Sequence, residues 1–160
     1  MPLLNRGGWA ADAWVRDDTD AAALIVPFEA LEKGEAKPRP GQRFGVDLPN
    51  DVPLARLRPF LAELDLIAIA FPAFGDGRGF SLARALRGEG YRGRLRAVGQ
   101  MIPDQFAFAI QAGFDEVEIG DDRAARQPLF QWLEALASIS ASYQSGGGGP
   151  SILARRSEAA

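Results

Sequence analysis

The protein has 160 residues, 47% of them apolar, and a formal charge of −3, a size that suits one domain and a charge with no general attraction for nucleic acid. It contains no cysteine and no histidine, which excludes disulfides, thiol redox chemistry, cysteine-ligated iron–sulfur clusters, the usual zinc sites, histidine ligation of haem, and Ser-His-Asp or Cys-His catalysis. No apolar run reaches the ~18 residues of a membrane span, and the opening residues lack the long apolar stretch of a secretory signal, so a cytoplasmic protein with no membrane partner is expected.

Lys33 and Lys37 are the only lysines, both in a loop-like stretch, which argues against a Schiff base. Chemistry falls to carboxylates, Arg, Tyr, Ser, backbone amides or a bound cofactor.

In chain order, residues 1–20 carry Trp9 and Trp14 among Asp12, Asp17, Asp18 and Asp20 and read as a short hairpin or irregular arm, packed onto the body by its indoles. Residues 22–28 predict a strand ending at Pro27. A helical turn over 28–34 and a connector to Gln42 with Pro38, Pro40 and Gly41 follow. The pattern then becomes regular. A strand at 44–48 precedes a helix capped by Asn50 or Asp51, with Pro53 in its first turn and Leu54, Leu57, Leu61 and Leu64 on one face. The apolar strand 66–71 runs into a glycine-rich turn, and a helix over about 80–88 leaves it, closed by Gly88 and Gly90. Strand 94–99 leads to a helix opened by Pro103 and Asp104 and stopped at Gly113. Strand 115–119 and a final helix over about 126–143, with Leu129, Leu133 and Leu136 inward, complete the pattern. We therefore expect a single α/β domain over 1–145, comprising 1–42 (arm, strand and connector) and 43–145 (βα units), then a flexible tail over 146–160.

Four successive βα units predict a parallel sheet with right-handed crossovers. A doubly wound sheet needs central strands that are apolar throughout. The strand at 66–71 meets that test, but Arg96 and Glu118 alternate with apolar residues on the next two. If Leu95, Ala97, Val117 and Ile119 face the helices, then Arg96 and Glu118, with Asp47, face the other side. This favours a half-barrel or barrel-like sheet; the alternative is a flavodoxin-like three-layer sandwich. A concave face must be covered, either by the Trp-bearing arm or by a second copy in a homodimer.

Several groups can carry chemistry. The turn Gly75-Asp76-Gly77-Arg78-Gly79 with Ser81 places backbone N–H groups and Arg78 where an anion can bind, although it matches neither the dinucleotide fingerprint nor a P-loop. The competing reading is a tight turn stiffened by an Arg–Asp pair. Arg78, Arg84, Arg87, Arg92, Arg94 and Arg96 form a basic run, which suits an anionic ligand, an acidic partner, or internal pairing with the acidic 115–122 segment. Arg96, on a strand, needs a buried partner, with Glu118 or Asp47 as candidates. Asp104 and Gln105 follow a parallel strand's C-terminal end; Asp104 is also a candidate N-cap. Asp47, Asp104 and Glu118 are candidate catalytic groups. The ligand-binding set is Asp76, Gly77, Arg78, Gly79, Ser81, Arg96 and Gln105, with Arg78 and Arg96 expected to converge on one pocket. Asp47, Asp76, Asp104 and Glu118 have the chemistry to hold magnesium, but their spacing does not require it, and no metal site is assigned.

The runs Phe71-Pro72-x-Phe74-x-Asp76-Gly77-Arg78-Gly79-Phe80-Ser81-x-Ala83-Arg84-x-Leu86-Arg87, Gly93-x-Leu95-Arg96-Ala97-x-Gly99, Asp104-Gln105 and Gly113-Phe114-Asp115 resemble the signature of a bacterial family of unknown function numbered 934, over roughly residues 22–120. Phe80 stands where the family often has Tyr, and Ala112 where it often has Cys, which argues against an essential thiol. Members are often encoded beside assimilatory sulfite reductase and loosely labelled oxidoreductases. The resemblance thus implies an accessory role in sulfite or sulfate reduction, binding the reductase or an anionic ligand. It carries over no catalytic residues, and without cysteines this protein is not the reductase. The alternatives are a barrel-like enzyme, an oxidoreductase among the options, acting on an anionic substrate or with a flavin, and a non-catalytic structural dimer.

Overall fold

The computed structural model describes residues 1–73 and 75–145; Phe74 of the glycine turn and the expected tail over 146–160 lie outside the described residues. The arm begins as a hairpin, β1 (Leu3–Asn5) and β2 (Gly8–Ala10). Five parallel strands follow: β3 (Ala23–Pro27), β4 (Arg43–Leu48), β5 (Leu66–Phe71), β6 (Arg94–Gly99) and β7 (Glu116–Ile119). Together they form one seven-stranded sheet of order β2-β1-β7-β6-β5-β4-β3, with β1 antiparallel to β7.

The parallel strands lie side by side in chain order. With right-handed crossovers every connecting helix falls on the same face. The packing agrees: Val46, Ile67, Ile69, Leu95, Ala97 and Val117 share one large core with residues of α1 (Phe28–Glu32), α2 (Leu54–Leu57), α3 (Arg78–Gly88) and α4 (Pro103–Ala112). The opposite face keeps only a small apolar cluster of Trp14, Ala23, Ile25, Leu66 and Ala68. The molecule is thus a one-sided α/β sheet of half-barrel type, not closed into a barrel. The flavodoxin-like alternative requires a strand order that reverses and helices on both faces, and this sheet has neither.

Local departures from the sequence reading have physical causes. Residues 23–32 form a fifth βα unit, with α1 following directly on Pro27. The helix after β4 is only one turn, begins at Pro53 without a side-chain cap, and passes into a 3₁₀ helix over Arg58–Glu63, where Pro59 interrupts the α-helical hydrogen-bond ladder. The expected last helix is two, α5 (Asp121–Arg126) and α6 (Leu129–Ser145). Pro128 drives Gln127 to φ −119° and ψ 106° and breaks the run. The buried anchor of α6 is Trp132, edge-on to Phe106 at 6.0 Å; Leu129 and Leu136 pack against the core only partly buried.

Candidate functional site

The open face is built in rows across the sheet, because parallel strands in register set equivalent residues side by side. One row runs Ile25–Gly45–Leu66–Arg94, and the next runs Pro27–Asp47–Ala68–Arg96–Glu116. The third carries Ala70, Val98 and Glu118. Trp14 seals the first row: a Cβ on Gly45 would stand 3.1 Å from its ring, so the missing side chain there admits the indole. Of the two expected covers, the Trp-bearing arm therefore closes the N-terminal part of the face.

Asp12 and Arg16 flank Trp14 at spacings of two residues and pin the arm down. Arg96 is fully buried. Its guanidinium donates to both Asp12 oxygens at 2.7 and 2.8 Å, to Glu116 at 2.8 Å and to Glu118 at 3.1 Å. Burial opposes its charge, but these acids, Asp12 foremost, outweigh it and raise the pKa. In return Asp12, although desolvated, is held below its ordinary range by Arg96 and by the Trp14 N–H. Arg16 donates to Asp47 at 2.7 and 3.1 Å and to Glu118 at 2.9 and 3.0 Å, and Asp47 first, then Glu118, push its pKa up against the cost of burial. Asp47 is on β4 and Glu118 on β7, three strand spacings or roughly 14 Å apart on a flat sheet. One guanidinium, reaching in from the arm, contacts both carboxylates all the same.

Beyond Arg16 the face opens into a cleft of about 860 Å³ at the C-terminal ends of the parallel strands, the edge where sheets of this kind bind ligands. Its floor is Ala68, Ala70 and Val98, its polar wall is Arg16, Asp47 and Glu118, and Phe28 and Val52 line the side. The rim charges are paired: Lys33 with Glu29 at 2.6 Å and Arg56 with Glu32 at 2.5 Å.

Of the expected catalytic candidates, Asp47 and Glu118 meet in this cleft. Asp104 does not; it lies in the first turn of α4, where an acid suits the helix dipole. Ile102, not Asp104, is the N-cap, and Gln105 turns back so that its Oε1 accepts the Ile102 N–H at 3.3 Å. The expected ligand set divides. Arg96 belongs to the open face. Asp76, Gly77, Arg78, Gly79 and Ser81 do not line the cleft, because beyond Phe71 the chain passes to the helical side, where Phe80 stacks on Phe71 at 4.8 Å. Arg78 and Arg96 therefore belong to opposite faces and do not converge.

Arg78 is exposed and pairs with Asp76 at 2.7 Å. That bond, then Asn50 and the Arg78 N–H, hold the Asp76 carboxyl below the usual range. The turn glycines do not adopt positive φ. Gly79 is small for packing, since a Cβ would lie 2.4 Å from the Phe71 ring. The basic run is largely spent internally as well: Arg87 on the Gly113, Tyr91 and Gly93 carbonyls and Asp115, and Arg94 on Glu116. Asp47, Asp76, Asp104 and Glu118 do not gather, and among the described residues no group of acids is arranged to hold a metal.

Arg16 and the small floor residues escaped the sequence reading. The alternation Asp12–Trp14–Arg16 marks one face of an extended segment and is the signal that exposes Arg16.

The fold and its cleft define a one-sided α/β domain with a ligand-sized depression at the strand ends and an arm clipped across it by ion pairs. By sequence the chain belongs to the family described as bacterial protein of unknown function, DUF934, whose model matches residues 45–153. The match takes in Asp47, Arg96, Glu116 and Glu118, while Asp12 and Arg16 precede it. No curated protein matches the chain. No helix among the described residues is long and apolar enough to cross a membrane.

Proposed function

We propose that the protein is an accessory factor of assimilatory sulfite reduction that works by binding the reductase or another protein of that route, without turnover. The observation that carries the non-catalytic part is the commitment of the cleft's charged groups to one another. A general acid or base must exchange protons with a substrate, whereas Asp47 and Glu118 each keep Arg16 as an ion-pair partner, an arrangement that suits holding charge in place more than moving protons. The pathway part rests on family membership and on the gene neighbourhood that such membership implies.

An enzyme acting on an anionic substrate, or holding a flavin phosphate, is supported less. Arg16, Lys33 and Arg56, the basic side chains lining the cleft, each already face a carboxylate.

The test is affinity capture of the tagged full-length protein from cells grown on sulfate as sole sulfur source, paired with growth of Asp47→Asn and Glu118→Gln strains. Co-elution of sulfite reductase or another sulfur-assimilation protein, with growth retained in both variants, is expected. An eluate without any such protein overturns the pathway assignment. Loss of growth in a variant that stays folded overturns the absence of turnover.

A further inference from the structure

We infer that the open-face cleft is a binding site for a small molecule with an apolar body and a cationic head. The inference is independent of the sulfite-reduction reading. The floor comes first. Ala70 and Val98 lie on the two central strands, yet both are only partly buried, whereas Ile67, Ile69, Leu95 and Ala97 on the other face of the same strands are sealed. Central strands leave apolar residues open to solvent only where something else occupies the space. Small side chains along the floor are what give the cleft its depth. Its volume of about 860 Å³ falls within the roughly 300–1,000 Å³ of ligand pockets, which are mostly apolar with a few placed polar groups.

The sign of the head follows from the polar wall. Arg16, Arg94 and Arg96 meet four carboxylates, Asp12, Asp47, Glu116 and Glu118, so the network keeps one negative charge. Asp47 is its most open acid, with a side chain 35% exposed against 5% for Glu118 and 3% for Glu116. Arg16 uses two of the lone pairs on Asp47, and a carboxylate offers about four, so this group can still accept from an ammonium or guanidinium. An anionic head would instead meet the residual negative charge, because Arg16 is already shared between two acids. The rim pairs Lys33–Glu29 and Arg56–Glu32 cancel, and the Met1 ammonium at the cleft edge faces Asp121 at 3.7 Å, so the choice falls to Asp47.

The experiment uses three probes that share one ring system, 1-naphthylmethylamine, 1-naphthylmethanol and 1-naphthylacetate, with the full-length protein, read by saturation-transfer NMR and titration of ring signals. The amine is expected to bind tightest, about tenfold tighter than the acetate, the worth of roughly one charge contact in a partly solvated site. Asp47→Asn should erase that preference while the naphthyl ring still binds. Ala70→Trp, which places bulk in open space and not in the core, should remove binding of all three. Binding of the acetate as tightly as the amine would overturn the cationic head. No saturation transfer from any probe, or binding unchanged in Ala70→Trp, would overturn the site itself.

Discussion

Replacing Arg96 by methionine keeps an unbranched apolar stem, shortens the side chain and removes its charge, and the structure fixes what that leaves behind. Four hydrogen bonds disappear, to Asp12, Glu116 and Glu118. Glu116 and Glu118 stay only 3% and 4% exposed. Glu116 then keeps just Arg94 at 3.3 Å, and Glu118 keeps Arg16 at 2.9 Å. Removing one member of a buried ion pair costs about 3–5 kcal/mol, chiefly through the charge left without compensation. The surviving partners argue for the lower end, about 3 kcal/mol. At roughly 2–4 °C per kcal/mol for a domain of this size, the melting temperature should fall by about 6–12 °C, with a matching drop in urea midpoint at pH 7. Part of the deficit comes from Asp12, whose carboxyl Arg96, against the cost of burial, holds below its ordinary range, and that part should shrink as the pH falls below about 4. Arg78→Ala is the control: the Arg78 side chain is 62% exposed although that of Asp76 is only 13% exposed, so losing this pair should lower the midpoint much less than Arg96→Met does. Equal stability of Arg96→Met and wild type, or a larger loss in Arg78→Ala, would refute the assignment of Arg96 as the keystone of the open face.

The turn glycines should separate by packing. Gly79→Ala forces a Cβ to 2.4 Å from the Phe71 ring and should cost about 1–3 kcal/mol in urea denaturation, whereas Gly77→Ala, at φ −82° with nothing within 4 Å, should be neutral or stabilise by about 0.4–1 kcal/mol. The arm should respond to acid through Asp12. Its folded pKa lies below the ordinary aspartate value of 3.8, so its contribution is complete above about pH 4 and is lost as the pH falls through the folded value. Urea midpoints of wild type and Asp12→Asn should accordingly stay apart from pH 7 to about pH 5 and approach each other below pH 4; a gap that does not change with pH would show that the Asp12–Arg96 pair does not hold the arm.

The sheet was legible because strand alternation is a strong signal. Arg96 and Glu118 interrupt apolar runs at period two, and that alone distinguished a face without helices from a doubly wound sheet. The partners of Arg96 were half legible. Facing parity offered Glu118 or Asp47; Glu118 is a partner, whereas Asp47 pairs with Arg16 instead, and Asp12 is 84 residues away, with nothing local to Arg96 pointing to it. The glycine turn was ambiguous for a physical reason. Glycines in a turn suggest a close approach to a ligand, yet Gly79 is small because Phe71 packs against it, and a single sequence does not distinguish a neighbouring ring from a phosphate. The cleft was hidden because its floor is a lack of bulk at Ala68, Ala70 and Val98, which in a sequence looks like any other buried strand.

The pairing of β1 with β7 joins Leu3, Leu4 and Asn5 to Glu118, Val117 and Glu116. β1 thus leaves the ribosome ahead of β7, the last strand among the described residues, and waits for it. Until β7 emerges, β6 exposes an unpaired edge, and Arg96 lacks both of its strand-borne acids. Such long-range closure slows folding and leaves nascent edges open to wrong partners. Truncations ending ahead of β7 should therefore aggregate rather than form a smaller version of the domain.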